Sequence, residues 1–218
     1  MKNLDWKVKE SVRVIKEANK KWYPNIGIAF TGKKDSTVLA YLICNHVNKI
    51  PKALFIDHGE HFPETVSNVE KVSKMWGLDL TVLKDDGYSK NLSKNQLRKQ
   101  IYKYKIDAIE KALELNEWNA LYTAIRWDEQ VARSSESYFS KRETHYRVHP
   151  LLHFTEEDIW QYIRMNNLPY NPLYDLGYRS IGEKGFTKRA KYMQDNERSG
   201  RDKSKEEVMD RLRSLGYF

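Results

Sequence analysis

One short stretch, residues 26–39 with the sequence IGIAFTGKKDSTVL, constrains the fold of this chain more than any other. Residues 26–30 form an apolar run of the kind that a parallel sheet buries on both faces. From Val38 onward, apolar residues recur at helical spacing as far as Val47. The stretch therefore predicts a buried strand, a tight turn and a helix over residues 36–48.

The turn between this strand and this helix has the features of an anion site. Asp35 or Ser36 is placed to cap the helix, whose free amides and dipole favour an anion at its N-terminus. Gly32 permits close approach of the backbone, and Lys33 and Lys34 add positive charge. The turn is therefore predicted to bind a phosphate group, with an ordinary strand-turn-helix connection as the alternative.

The remaining apolar segments continue the alternation of strand and helix. Further buried strands are predicted at residues 53–57, 79–83, 120–125 and 146–152, and helices at residues 5–22, 63–76 and 106–116 and from residue 155. Strand, helix and strand at this spacing predict right-handed parallel crossovers. The expected fold is α/β, a doubly wound parallel five-stranded sheet with helices on both faces.

Polar residues follow two of the predicted strands at their carboxyl ends. Residues 57–65 follow the second strand and residues 126–133 follow the fourth. The carboxyl ends of strands flank the ligand crevice of an open α/β sheet, so both segments are expected at one site. Carboxylates there are suited to Mg²⁺. A transition-metal site within residues 57–61 is disfavoured, because a distant fourth ligand is missing.

Composition limits the partners and cofactors of the chain. The formal net charge of +8 favours nucleotides, sulfate-like oxyanions or nucleic acid as partners. Cys44 is the single cysteine, so an internal disulfide, an iron–sulfur cluster and a structural zinc site are not expected. No apolar run has the length of a membrane span, and residues 1–5 resemble no signal peptide, which predicts a cytoplasmic protein without a membrane partner.

A basic segment with interleaved aromatic residues covers residues 89–105. It contains six lysine or arginine residues together with Tyr102 and Tyr104, a mixture that is found in nucleic-acid-binding proteins. A solvated insertion with a basic helix explains the same pattern, because charge runs usually face water. The second explanation is favoured, and nucleic acid is a less favoured partner.

Four motifs together resemble the phosphoadenosine phosphosulfate (PAPS) reductase family. Residues 31–36 are similar to the Ser-Gly-Gly-x-Asp-Ser loop of the ATP pyrophosphatase superfamily, with Lys33 in place of the second glycine. Residues 57–65, 126–133 and 171–182 supply the other three motifs in the family's order. The resemblance covers roughly residues 24–216. It implies a five-stranded parallel sheet that binds an adenine nucleotide (ATP, adenosine 5′-phosphosulfate (APS) or PAPS) at the strand ends.

The resemblance extends to two adenylyl-transferring relatives, the small subunit of ATP sulfurylase and the catalytic domain of FAD synthase. A family reductase attacks sulfur with a cysteine near its C-terminus, but residues 211–218 contain no thiol, and Glu183 follows Gly182 where the family has cysteine. We therefore interpret the chain as an adenylyltransferase that uses ATP and Mg²⁺, with sulfate or FMN as acceptor. Two alternatives stay open, a PAPS reductase or PAPS-binding protein that uses an external thiol and an RNA-binding or tRNA-modifying protein.

The resemblance also assigns roles to individual residues. The phosphate-binding residues are expected to be Thr31, Gly32, Lys33, Lys34, Asp35, Ser36, Arg198 and Arg201. The catalytic residues are expected to be Lys34, Asp57, Arg126, Asp128 and Arg133. The nucleotide-binding residues are expected to be Ala29, Phe30, Ile56, Asp57, Ser180, Ile181 and Gly182. Mg²⁺ is expected on Asp57 and Asp128.

The expected organisation has three parts. Residues 1–23 form an N-terminal helix, residues 24–182 form the nucleotide-binding domain, and residues 183–218 form a basic tail that ends in a helix. A capping-box pattern at residues 204–207 predicts the start of that last helix. By analogy with ATP sulfurylase, a partner subunit is a further expectation, with a homodimer as the alternative.

Overall fold

The computed structural model describes residues 3–85, 92–192 and 196–201. Strands and helices alternate along the chain. The helices are α1 (Leu4–Trp22), α2 (Lys34–His46), α3 (Pro63–Trp76), α4 (Lys94–Leu115) and α5 (Glu156–Met165). The strands are β1 (Ile26–Ala29), β2 (Ala53–Asp57), β3 (Leu80–Lys84), β4 (Ala120–Tyr122), β5 (Phe139–Lys141) and β6 (Tyr146–Val148). The helix predicted from residue 204 lies outside the described residues.

The strands form one sheet in the order β3-β2-β1-β4-β6-β5. Every neighbouring pair is parallel except β5 and β6. The first strand lies between β2 and β4, so the connections run outward from β1 in both directions. This is the switch point at which open α/β sheets bind ligands. The predicted doubly wound parallel sheet is confirmed.

The sheet has a sixth strand that the sequence did not predict. β5 contains three residues and pairs antiparallel with β6, with Phe139 opposite Val148. Three residues are too few to show the period-two alternation by which a strand is recognised. The prediction of five strands is therefore wrong by one short edge strand.

Helices cover both faces of the sheet, as predicted. Alternate residues of β2 point in opposite directions, and Phe55 belongs to the core cluster that includes residues of α1, α2, α3 and α5. Leu54 packs with Ala112 and Leu113 of α4 on the other face. The N-terminal helix belongs to the larger of these two clusters, since Val14 is fully buried there.

Local signals explain most helix ends. Pro63 begins α3 and Gly77 ends it in the left-handed conformation, as predicted. Thr155 caps α5 through its side chain. The predicted helix at residues 106–116 instead begins at Lys94, where a capping box of Ser93 and Gln96 was missed.

No helix in the described part of the chain has both the length and the apolar character needed to cross a membrane.

Candidate functional site

The predicted phosphate loop connects β1 to α2 and closes around one hydroxyl group. Lys33, rather than Asp35 or Ser36, is the residue that precedes the helix. The Ser36 hydroxyl lies in the first turn, where it accepts hydrogen bonds from the Lys33 amide at 3.2 Å and from the Thr31 hydroxyl at 3.0 Å. Ser36 thus sets the shape of the loop, and the prediction of Asp35 or Ser36 as the helix cap is wrong.

Gly32 fastens this loop to α3. Its φ angle is +64°, and a Cβ atom there would lie 2.5 Å from Val69 Cγ2 and 3.1 Å from the Thr65 carbonyl oxygen. The buried Asn68 side chain donates to the Gly32 carbonyl at 2.9 Å. Glycine is therefore required both by backbone conformation and by the close approach of the helix.

Lys34 is a buried cation directly after the loop, with only 1% of its surface exposed. Its Nζ pairs with Glu197, lies 3.4 Å from Asp35 Oδ2 and donates to the Arg179 carbonyl at 3.3 Å. Burial by itself lowers the pKa of Lys34, but the negative charge of Asp35, together with that of Glu197, outweighs burial and raises it. The ammonium group therefore stays charged.

Arg126 is fully buried behind this lysine and is surrounded by carboxylates. Its guanidinium bonds Asp35 and Glu197, and its Nε lies 2.9 Å from Asp128 Oδ1. The sequence analysis includes Arg126 among the expected catalytic residues. The structure instead places it outside the cavity lining, where it positions acidic residues around Lys34.

A second cluster of buried charges lies on the segment after β4. Glu129, which the sequence analysis missed, pairs with Arg133 and lies 3.4 Å from Arg198 Nη1. Burial by itself raises the pKa of Glu129, but Arg133 and other cations outweigh burial and hold that pKa well below its usual range. Glu129, which itself lines the cavity, therefore orients one predicted catalytic arginine, Arg133, and one predicted phosphate-binding arginine, Arg198.

The tail returns over the same site. Arg201 Nη1 donates to the Ile181 carbonyl at 2.7 Å and to the Ser180 hydroxyl at 3.3 Å. A Cβ atom on Gly182 would lie 2.7 Å from Arg201 Cζ, so the arginine crosses closely over that glycine. This contact brings Arg201, a predicted phosphate-binding residue of the tail, next to the predicted nucleotide-binding residues 180–182.

These elements enclose a cavity of about 230 Å³ at the carboxyl ends of β1, β2 and β4. The predicted site residues that line it are Ala29, Thr31, Lys33, Lys34, Asp35, Ser36, Ile56, Arg133, Ser180, Ile181, Arg198 and Arg201. The predicted site residues outside its lining are Phe30, Gly32, Asp57, Arg126, Asp128 and Gly182. Phe30 is fully buried in the core, and its predicted role in nucleotide binding stays a prediction.

The cavity lining has an apolar part and a charged part. Leu54, Ile109 and Leu121 contribute apolar surface from β2, α4 and β4, whereas the loop and the tail contribute lysines and arginines. Such a cavity suits a flat ring system joined to an anionic group. The apolar lining from α4 was missed, because the sequence gives no indication of which helix covers the sheet at this point.

The two predicted Mg²⁺ ligands are occupied by contacts within the protein. Asp128 bonds Arg126 and accepts from the Glu156 amide at 3.0 Å, while Asp57 accepts from the Gly59 amide at 3.1 Å. Among the residues that the structure describes, no group of three or more histidine, cysteine or acidic residues is arranged to hold a metal. Asp57 and Asp128 both lie outside the cavity lining, and Mg²⁺ on these two residues stays a prediction.

From Lys94 onward, the basic segment is a regular part of α4. Tyr102 packs against Ile125 and Leu152, and Lys103 pairs with Asp107 on the helix surface. Lys105 instead reaches the site, with its Nζ 2.5 Å from Glu183 Oε1. These contacts favour a structural role for the segment over RNA binding.

Comparison with known proteins identifies the family. Residues 25–188 match the model of the phosphoadenosine phosphosulfate reductase domain. The chain belongs to this family. It is 29% identical to adenosine 5′-phosphosulfate reductase of Bacillus cytotoxicus, over 80% of this chain and 78% of that protein. It is 34% identical to phosphoadenosine phosphosulfate reductase of Saccharomyces cerevisiae, over 72% of this chain and 66% of that protein.

Solved structures give the same fold. The phosphate complex of Candida auris PAPS reductase aligns with a TM-score of 0.69 and 23% identity, over 83% of this chain and 93% of that chain. Candida glabrata FMN adenylyltransferase with FAD and inorganic pyrophosphate aligns with a TM-score of 0.68 and 25% identity, over 85% of this chain and 65% of that chain. The resemblance to both branches of the superfamily is therefore confirmed at the level of fold.

The interpretation as an adenylyltransferase is wrong. The two reported relatives in sequence are named APS reductase and PAPS reductase, which are oxidoreductases, whereas FMN adenylyltransferase is a neighbour in structure. That interpretation depends on the lack of a thiol in residues 211–218, and the lack of one residue type does not identify the reaction. The alternative with an external thiol agrees better with the family.

Proposed function

We propose that this chain binds an adenine sulfonucleotide, APS or PAPS, and reduces it with a thiol that Cys44 does not provide. The observation that carries this proposal is the cavity at the strand ends, which joins an apolar lining to buried and tail-borne cations in a member of the PAPS reductase family. Each half of that lining matches one half of a sulfonucleotide.

The charged half of the lining suits the phosphosulfate group. Lys34 follows the loop at the start of α2, and Arg198 and Arg201 approach from the tail. Arginine forms paired hydrogen bonds with phosphate and sulfate oxygens, and a helix N-terminus favours an anion. The apolar half, with Leu54 and Leu121, is suited to the adenosine.

Cys44 is poorly placed to be the nucleophile. It lies in α2 packed against the hydrophobic core and is absent from the cavity lining. Burial raises the pKa of its thiol to about 11, so little thiolate forms at neutral pH. The attacking thiolate is therefore assigned to a dithiol protein or reagent that enters the cavity.

The proposed reaction has two steps. The external thiolate attacks the sulfur of the sulfonucleotide, so that a sulfur–sulfur bond forms while the sulfur–oxygen bond to the phosphate breaks. The nucleotide, AMP from APS or 3′-phosphoadenosine 5′-phosphate from PAPS, leaves with that electron pair. The second thiol of the dithiol then attacks the sulfur atom of the first thiol, and sulfite leaves. The dithiol becomes a disulfide and is thereby oxidised by two electrons.

The residues of this chain act on the leaving nucleotide. Negative charge develops on the phosphate oxygen as the sulfur–oxygen bond breaks, and fixed cations stabilise that charge most when water is excluded. Arg133 and Arg198 share Glu129 as a buried anchor, which holds both guanidinium groups in place before the substrate arrives. The tail excludes water by closing over the phosphate end.

The test measures sulfite. Purified protein is incubated with APS or PAPS and an excess of reduced thioredoxin or dithiothreitol, and sulfite and released nucleotide are quantified. We expect sulfite and nucleotide in equal amounts, and the same rate for Cys44→Ser. Absence of sulfite above the protein-free rate with both substrates would contradict the proposal, and loss of activity in Cys44→Ser would contradict the external thiol.

A further inference from the structure

A buried polar network continues from the apolar part of the cavity into the sheet. Thr123 lines the cavity two residues after Leu121, and its Oγ1 lies 2.6 Å from Nδ1 of the fully buried His149. On the far side of the ring, His149 Nε2 lies 3.6 Å from Oε2 of Glu136. The network therefore starts at the cavity with the Thr123 hydroxyl group, continues through the His149 imidazole and ends at the Glu136 carboxylate.

The sheet brings these groups together. The Thr123 amide donates to the Val148 carbonyl at 2.8 Å, which extends the pairing of β4 with β6 and sets Thr123 beside His149. Glu136 is anchored separately by the Ser140 hydroxyl and by Arg142 Nη2 at 3.1 Å. All three members are thus held in place before any ligand binds.

The surroundings fix the direction of the hydrogen bonds. Burial lowers the pKa of His149 to about 4, so its ring is neutral at pH 7 and carries one proton. The carboxylate of Glu136 faces Nε2, and a lone pair there would be repelled, so the proton lies on Nε2. Nδ1 therefore accepts, and the hydroxyl proton of Thr123 points to His149.

With its proton directed to His149, the Thr123 hydroxyl group acts toward the cavity only as a hydrogen-bond acceptor. Its proton is used, so the lone pairs of Oγ1 can only accept a hydrogen bond from a ligand. The neighbouring lining combines apolar surface, from Leu121 on the same face of β4 and from Ile109 on α4, with the buried Arg147 of β6, which lies opposite Leu121. A ring that places an N–H group there gains a bond, whereas a ring that places a carbonyl oxygen there is repelled.

We propose that Thr123, held by His149 and Glu136, selects a purine with a 6-amino group over a purine with a 6-oxo group. This inference rests on the proposed function, because it takes the base of the nucleotide to occupy the apolar part of the cavity. In this assignment Thr123 determines specificity and His149 is a positioning residue.

Calorimetric titration with three monophosphates tests the selection in the wild-type protein. The ligands are AMP, IMP and purine riboside 5′-monophosphate, which has hydrogen at position 6. We expect AMP to bind about tenfold more tightly than purine riboside monophosphate, the difference made by one buried hydrogen bond. IMP is expected to bind most weakly of the three, because two acceptors would face each other.

Two substitutions of similar size test the hydroxyl group. Thr123→Val removes it, and we expect AMP and purine riboside monophosphate to bind equally, with unchanged affinity for the latter. Thr123→Ser keeps it and should retain most of the preference. Equal discrimination in Thr123→Val and wild type would overturn the role of Thr123. If the valine variant does not fold, the wild-type affinity order still decides, and tighter IMP than AMP binding overturns the inference.

Substitution of His149 separates positioning from packing. In His149→Leu the Thr123 hydroxyl is free to turn, so the ratio of AMP to IMP affinity should fall about tenfold while IMP affinity changes little. His149→Gln offers an acceptor to Thr123 and a donor to Glu136 and should restore part of the ratio. A fall of both affinities by one factor in His149→Leu would indicate packing alone and overturn the positioning role.

Failure of this inference and failure of the proposed function give different results. Sulfite production from APS or PAPS together with equal AMP and IMP binding overturns the inference alone. Absence of binding by AMP, APS and PAPS overturns both.

Discussion

Glu197 places a carboxylate between two buried cations, Lys34 and Arg126. It pairs with Lys34 and with Arg126, and its side chain is 9% exposed. Burial raises the pKa of this carboxyl above its usual range, which agrees with a group that is costly to keep ionised. A ligand anion that reaches Lys34 must compete with this internal carboxylate.

The charge of Glu197 is therefore predicted to weaken nucleotide binding. Replacing Glu197 by Gln keeps the shape and removes the competing charge, and we expect roughly three- to tenfold tighter binding of PAPS in a calorimetric titration. Glu10→Gln on α1, where Glu10 pairs with Arg13, makes the same charge change away from the site and should have no effect on PAPS affinity. Weaker binding in Glu197→Gln would indicate that the carboxylate positions the cations.

One buried histidine, His149, and one half-buried histidine, His61, are predicted to make the fold sensitive to acid. Burial lowers the pKa of both His149 and His61 to about 4, from an ordinary value of 6.5. The unfolded chain binds protons first as pH falls, so the free energy of unfolding decreases between about pH 6.5 and 4, by about 3 kcal/mol for each group. Urea unfolding at pH 7, 5.5 and 4.5 measures this loss.

The matched variants are His149→Gln and His46→Gln. The first should lose less stability between pH 7 and 4.5 than the wild type, because it removes one buried titrating group. His46 is exposed, and its substitution should leave the dependence largely unchanged. If the free energy of unfolding had the same pH dependence in the wild type and in His149→Gln, the lowered pKa of His149 would be contradicted.

At the scale of elements, the connection of β1 to α2 depends on contact with α3. Gly32 has a positive φ and is packed against Val69, whereas Gly77 has nearly the same φ, +63°, and open space around the position of a Cβ atom. The two glycines therefore separate the cost of backbone strain from the cost of steric contact.

Alanine at these two positions is predicted to have unequal effects. Gly77→Ala should destabilise the fold by about 1 kcal/mol through backbone strain alone. Gly32→Ala should cost about 2–4 kcal/mol, because the added methyl group also displaces Val69. Thermal or urea unfolding measures both, and Val69→Ala should recover part of the Gly32→Ala loss. An equal loss of unfolding free energy at the two glycines would show that α3 moves away from the added methyl group at no cost.

Across the whole molecule, the tail is joined to the sheet domain at several separated points. The Lys184 amide donates to the Glu60 carbonyl at 2.7 Å, and Lys105 of α4 pairs with Glu183. These contacts link the start of the tail to the end of β2 and to the helix over the cavity. The site is therefore enclosed by contacts between the tail and the sheet domain.

Loosening one of these links is predicted to weaken ligand binding. In Lys105→Met the tail loses an ion pair with α4, and we expect PAPS affinity to fall about three- to tenfold. Hydrogen exchange of the described tail amides, residues 184–192 and 196–201, should increase. Lys103→Met removes an exposed pair with Asp107 and serves as the control. Reduced affinity without faster tail exchange would indicate that Lys105 acts through its charge alone.

The fold was largely predictable because its signals are local. Residues 26–39 specify a strand, a turn and a helix through hydrophobic periodicity and one glycine, and Pro63 and Gly77 mark the ends of α3. The edge strand β5 and the early start of α4 were missed because each depends on a signal of only a few residues.

By itself, the sequence determined the family, the parallel α/β fold and the segments that meet at the strand ends, because motifs and periodicity are local properties. Only the tertiary structure decided which charged groups face the cavity. Arg126 is paired behind it, Glu197 lies among its cations, and Thr123 is fixed by His149 from a neighbouring strand. These contacts join residues far apart in the chain, and their direction depends on burial and on the partners that packing brings within reach.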